Sequence, residues 1–159
     1  MTQATWSSPP WSIAEAILSV AGAGVAGTLW WAHQHHVDLP CTANGGCIQV
    51  AASTQAFVNI GPWHDVSVAL LGFLGYLVLM TLSMMKLGSE TPKAARGLHW
   101  LLWAISAGGF VYSWYLQYVA HFVIQAFCVY CFTSACLMTA LFVTATWEWA
   151  RVRRSRQSL

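Results

Sequence analysis

The chain has 159 residues, 57% of them hydrophobic and 8% charged, with ten tryptophans and a net charge of +2 at neutral pH. Soluble domains carry roughly 25% charged residues, and so few charges do not cover a water-facing surface, which excludes an ordinary soluble globule. At this length about one domain is expected, so residues 1–159 are read as a single integral membrane unit.

Apolar runs of roughly 20 residues, the length an α-helix needs to cross a bilayer core, occur four times: Trp11 to Trp31, Val66 to Met85, Leu98 to Val119 and Phe122 to Trp147. The first carries one charge, Glu15, near its start; the other three contain no Asp, Glu, Lys or Arg. Ala21-Gly22-Ala23 resembles a signal cleavage site, but no Lys or Arg precedes the tract and it is long for a signal core, so retention is expected. Next comes a loop over 32–65 that holds no Lys or Arg and contains Cys41 and Cys47. Lys86, Lys93 and Arg96 separate the second and third runs, and Arg151, Arg153, Arg154 and Arg156 follow the fourth. Four crossings put both basic clusters on one side, and the positive-inside bias makes that side, with both termini, cytoplasmic. The loop 32–65 then lies outside, and the Arg-rich tail is a topology anchor beside anionic lipid. No run alternates as a strand, and a closed barrel needs more strands than this length supplies. The fold class predicted is therefore all-α, with four transmembrane helices. Glycines at 22, 24, 27, 72, 75, 108 and 109 read as small-residue contacts between helices.

The chemistry is carried by cysteine. Cys41 and Cys47 bracket Thr-Ala-Asn-Gly-Gly, where Asn-Gly-Gly favours a turn that lets the ends meet. On the oxidising side of a membrane such a pair forms a disulfide, as a structural staple or as part of a redox site. Cys128 and Cys131 form a CxxC, a spacing shared by thiol redox sites and metal sites. Counting back about 20 residues from Trp147 puts Cys128 near the outer hydrocarbon boundary, within reach of the loop and of anything dissolved in lipid. A disulfide within one helical turn constrains almost nothing, so two pairs at this level suggest a relay by thiol–disulfide exchange. The final acceptor would be lipid-soluble and take two electrons, as a quinone does. With a helix starting near Phe122, the dipole, worth about 0.3–1 kcal/mol within the first turn, helps Cys128 little. A thiolate of this pair is then expected to be stabilised chiefly by charge transfer to a bound quinone. Cys136 is expected to pack as a small buried apolar residue.

Among the histidines, His33, His35 and His36 do not share one helical face, and no metal site is assigned to them with Cys41. His64, Asp65 and His121 are candidates for passing protons near the outer surface. The competing function is a membrane transporter or binder of soft metal ions using the paired cysteines. Such a protein would bind metal and need no quinone.

In the order of its features the sequence resembles the vitamin K epoxide reductase family, specifically its bacterial and archaeal disulfide-forming members. The resemblance rests on Cys41 and Cys47, Ser53 six residues later, Leu70-Leu71-Gly72-Phe73-Leu74-Gly75-Tyr76, and Phe127-Cys128-Val129-Tyr130-Cys131-Phe132. It implies a four-helix bundle around a quinone of menaquinone, ubiquinone or vitamin K type. An outside loop and a short interfacial helix would cap the site, the helix coming from the stretch bearing Ile48, Ala51, Ala52 and Val58. It further implies that Cys41 meets the redox partner, Cys47 exchanges with Cys128, and Cys131 reacts with quinone. Ser53 would order the loop helix, and Ser53, Phe127 and Phe132 would border the quinone with Cys131. Val68 and Ala135 stand where the animal enzymes carry an Asn and a Tyr that bind the quinone oxygens, which speaks against epoxide reduction. Some bacterial members carry a fused thioredoxin-like domain. This chain ends soon after its last run, so the expected partner is an extracytoplasmic thioredoxin-like (DsbA-like) protein acting in trans; no nucleic acid is expected. Disulfide oxidases of the other architecture place the CxxC before the loop pair, the reverse of the order here.

Overall fold

A computed structural model describes residues 9–35, 37, 46–51, 53, 56–60, 63–89 and 91–157. Four long helices dominate: α1 (Pro9–His35), α3 (Val68–Leu87), α4 (Pro92–Val119) and α5 (Val129–Gln157). Between α1 and α3 lie a short helix, α2 (Gly46–Ala51), and an antiparallel hairpin of β1 (Phe57–Ile60) and β2 (Trp63–Ser67). The hairpin corrects the purely helical expectation. Val66 belongs to β2 and α3 begins at Val68, while Val58 lies in β1, so the interfacial helix expected through it ends at Ala51.

The helix ends follow local chemistry. Proline suits a first helical turn, where its missing N–H would have no partner, and both α1 and α4 begin on proline. The helix α3 stops at Gly88, whose N–H meets the carbonyls of Lys86 and Met84. The largest departure is at the end of α4. There the chain runs on as a π-helical turn over Ala120–Ile124 and stops at Gln125, in the left-handed region at φ 55°. The N–H groups of Gln125 and Ala126 both donate to the Ala120 carbonyl. The fourth apolar run is therefore divided, and α5 starts at Val129 rather than Phe122.

Small residues let the helices approach. The Tyr76 ring lies so close over Gly22 that a Cβ there would sit 2.2 Å from Tyr76 Cε1. Trp30 stacks on Phe73 with centroids 6.1 Å apart. The middle of the bundle is a dry layer of Leu79, Leu102, Leu141 and Ala145, all fully buried. Ser19, Ser83 and Ser106 are buried alongside, and their hydroxyls donate to carbonyls of their own helices at 2.8, 2.9 and 3.0 Å. Such internal bonding is required where no water is available.

One end of the bundle is ionic. Lys86 Nζ bonds Glu15 Oε2 at 2.8 Å and also Glu148 Oε2, and His99 Nδ1 lies 3.4 Å from Glu148 Oε2. Each of the four long helices supplies one member. Lys86, read from the sequence as part of a basic connection, is instead 1% exposed within α3. The exterior is apolar, with Ile17, Val111, Val123 and Val143 more than half exposed. Pro10–His35, Val68–Leu87 and Val129–Arg151 are long and apolar enough to cross a bilayer. The 28-residue α4 is long enough, but its expected span, Leu98 to Val119, is diluted by Gly108, Gly109, Ser113, Gln117 and three tyrosines. The chain is a membrane protein, with three of its four long helices meeting the apolarity of a span.

Candidate functional site

At the end opposite the ionic layer is a cavity of about 420 Å³, walled by the C-terminal part of α1, the start of α3, the second half of α4 and the first turns of α5, with α2 over it. Cys47, Ser53, Cys128 and Cys131 all line it. Cys47 is 4% exposed and held in a disulfide whose other sulfur lies outside the described residues. Cys128 and Cys131 are free thiols, the first 1% exposed. The position of Cys41, which the sequence assigns to the partner-facing step, also lies outside the described residues.

The late start of α5 places Cys128 at its N-cap. The Cys128 carbonyl accepts the first helical bond, from Phe132 N–H at 3.0 Å, and its sulfur accepts the N–H of Cys131 at 3.3 Å. An N-cap side chain accepts in this way from the N–H groups left free at a helix start. Cys128 also precedes the spanning stretch Val129–Arg151. The Cys131 thiol hydrogen-bonds the Cys128 sulfur and, against the opposing effect of burial, brings the Cys128 thiol down to about 7. The dipole supplies about 0.3–1 kcal/mol, less than one tenfold step in acidity at about 1.4 kcal/mol. The hydrogen bonds therefore account for most of the effect. The expectation that the helix start is too distant to act on Cys128 is thus overturned, since the helix begins one residue after it.

Ser53 donates its hydroxyl to Val50 O at 2.7 Å, closing the end of α2 while lining the cavity. Phe127 and Phe132 are not on the cavity wall. They are 47% and 40% exposed and face each other with centroids 5.6 Å apart. Cys136 is also exposed, so the packing expected for it is not found; it lies on the outer face of α5, away from Cys131. His33 lines the cavity and meets Phe57 at 5.1 Å, while His35 is exposed against Trp31 at 4.9 Å, so these two histidines diverge. His36 lies outside the described residues, as do the side chains of His64 and Asp65; His121 is exposed against Phe122. Val68 lines the cavity and Ala135 is buried, and neither side chain offers a hydrogen bond.

Sequence reasoning missed the α4 wall, where Tyr112, Ser113 and Gln117 line the cavity with Gly108 and Gly109. The signal was present: these residues recur at spacings of three and four, marking one helical face, in the least apolar of the four runs. Also missed was Tyr76, 1% exposed, whose hydroxyl donates to Ser134 O at 2.8 Å and lies 3.1 Å from Ser134 Oγ. It braces the first turns of α5 against α3 and α1. The sequence model of the Vitamin K epoxide reductase family matches residues 13–146. That stretch takes in the disulfide-bonded Cys47, the cavity and the N-cap cysteine, and the chain belongs to this family.

Proposed function

We propose that the protein is a quinone-dependent thiol oxidoreductase that reoxidises an extracytoplasmic thioredoxin-like protein and so supports disulfide formation. Family membership itself implies a membrane thiol oxidoreductase with quinone-related activity. The observation that carries the finer reading is the shared cavity: disulfide-bonded Cys47 and the free thiols Cys128 and Cys131 line one apolar space. In this reading the partner's dithiol reduces the Cys41–Cys47 disulfide, and the partner leaves oxidised. Once the Cys128–Cys131 dithiol has given two electrons and two protons to the acceptor and closed to a disulfide, the Cys47 thiolate attacks Cys128 and Cys131 leaves as a thiol. Cys41 then attacks Cys47, which re-forms the loop disulfide and returns Cys128 and Cys131 to the dithiol. A bound quinone supplies the acceptor for two electrons and two protons. The net change is partner dithiol plus quinone to partner disulfide plus hydroquinone.

The cavity suits such a group. Its volume falls among small-molecule sites of about 300–1,000 Å³ that are mostly apolar with a few polar groups. On its walls a Cβ at Gly75 or Gly108 would meet nothing within 4 Å, so both glycines leave room for a flat ring. The chain's own part is to hold Cys128 ready as a thiolate at the N-cap, to set Cys47 on the wall of the same cavity, and to keep water from these two sulfurs by burying them. Residues 1–159 act as one unit, α4 crosses together with α1, α3 and α5 as the third of four crossings, and both termini are cytoplasmic. Arg151 at the ionic end, 5.5 Å from the Trp11 ring, fits that orientation. The soft-metal reading is not favoured, because family membership points to thiol redox chemistry.

The test is oxidation of a reduced thioredoxin-like protein by the purified protein in lipid nanodiscs. Oxidation is expected only with quinone present, in a one-to-one ratio of disulfide formed to hydroquinone produced. Oxidation without quinone, or none with it, contradicts the proposal.

A further inference from the structure

In most of this bundle a helical hydroxyl has its bond within its own helix: Ser83, Ser106, Thr133 and Thr139 each donate to a carbonyl three or four residues back. Ser113 does not. It lies on the cavity wall and makes no hydrogen bond to any described residue, and the same holds for Gln117, one turn further along α4. Two other serines of the cavity wall are engaged, Ser134 with Tyr76 and Ser53 with Val50. Residues at i and i+4 share a helical face. Ser113 and Gln117 therefore present one hydroxyl and one amide side by side to a mostly apolar space.

Their level in the bundle is set by how α4 runs against α5. Trp114 Nε1 donates to Thr139 Oγ1 at 3.1 Å, and a Cβ at Gly109 would sit 2.9 Å from Met138 Sδ. The two helices are antiparallel, so moving along α4 from Trp114 to Gln117 moves back along α5 from Thr139 toward Ser134 and Cys131. Gln117 thus lies nearer the level of the CxxC turn than Ser113 does. Polar groups elsewhere on the wall include Ser67 before α3, Tyr130 and Ser134 on α5 and His33 on α1, and Ser134 is already bonded to Tyr76. On α4 a ligand whose polar atoms enter this space meets a hydroxyl and an amide one turn apart, neither engaged by a described residue.

We infer that Ser113 and Gln117 hydrogen-bond a ring carbonyl of the cavity's ligand, a flat cyclic diketone, and that α4 supplies its polar recognition in this protein. The inference rests on the reading of the cavity as a quinone site. The amide N–H and the hydroxyl donate to a carbonyl oxygen, and the amide oxygen accepts from the hydroxyl of the reduced ring. One neutral pair therefore serves both redox forms without taking up a charge.

The experiment measures binding, separately from turnover. Menadione is titrated into the purified full chain in nanodiscs and followed by quenching of its tryptophan fluorescence. Methylnaphthalene, which has the ring without the carbonyls, is titrated as a competitor. Gln117→Leu and Ser113→Ala are each expected to weaken menadione roughly 2- to 10-fold, the loss of one neutral hydrogen bond, and to leave methylnaphthalene unchanged. Unchanged menadione binding in both variants overturns the inference and leaves the quinone reading intact. Equal weakening of both ligands also overturns it, since the pair would then only shape the cavity. Failure of the unsubstituted protein to bind menadione overturns the quinone reading together with the inference.

Discussion

At Cys128 opposing effects meet on one sulfur atom. Burial disfavours its thiolate, while the Cys131 thiol, the Cys131 N–H and the start of α5 favour it, and the balance brings the thiol to about 7. An acid group whose value is lowered is ionised above that value and protonated below it. The thiolate of Cys128 should therefore be half formed near neutral pH and lost on acidification. Replacing Cys131 by Ala removes the thiol donor, and the midpoint should move up toward the ordinary thiol value of about 8.5. The check is thiolate absorption in the ultraviolet against pH, in a Cys136→Ser background with the loop disulfide intact. A midpoint that does not move on Cys131→Ala contradicts this assignment. The sequence supplied the CxxC and its neighbourhood to Cys47, but not the N-cap position, because that depends on where the helix starts.

The start of α5 was hidden for a physical reason. Phe122-Val123-Ile124 reads as the beginning of an apolar span, and the chain breaks at Gln125, which adopts φ 55° without being glycine or asparagine. No local composition announces such a break, since left-handed conformations are ordinarily marked by Gly or Asn. The hairpin did leave a signal: Gly61-Pro62, a turn dipeptide, lies between Phe57-Val58-Asn59-Ile60 and Trp63-His64-Asp65-Val66, runs rich in strand-forming residues. The spans of α1 and α3 were legible to within a few residues, because their apolar runs are unbroken. The joint between these two elements makes its own prediction. Gly22→Ala places a methyl group into the Tyr76 ring, whose hydroxyl is tied to Ser134, so the ring cannot swing away freely. Overpacking of this kind costs about 1–3 kcal/mol. Gly24→Ala, where a Cβ meets nothing, should leave stability unchanged. Thermal unfolding in detergent separates the two, and equal melting temperatures for both variants would contradict the joint.

Across the whole molecule the bundle has three layers: an ionic end, a dry middle of Leu79, Leu102 and Leu141, and the cysteine-lined cavity. The ionic end ties α1, α3 and α5 through a buried lysine and α4 through His99 on Glu148, which apolar patterning alone does not disclose. Glu15, read only as the single charge in its run, has its partner 71 residues away. Lys86→Met leaves Glu15 and Glu148 buried without their cation, and breaking such a pair costs about 3–5 kcal/mol. The triple change Glu15→Gln, Lys86→Met, Glu148→Gln should recover most of that stability, because no uncompensated charge remains. Unfolding by denaturing detergent checks both; a Lys86→Met variant as stable as the unsubstituted protein would contradict the buried pairing. The dry middle separates this layer from the cavity, so the triple variant should also retain the proposed quinone-dependent thiol oxidation.

The account depends most on electrons passing between the loop and the CxxC turn across the shared cavity. The direct measurement is peptide mass mapping of the Cys131→Ser protein. With its CxxC partner removed, Cys128 attacks Cys47 of the loop disulfide, Cys41 leaves as a thiol, and no thiol at position 131 is present to resolve the product. The account predicts a lasting disulfide joining Cys47 to Cys128. Recovery of Cys41 bonded to Cys47 with Cys128 still free would contradict it.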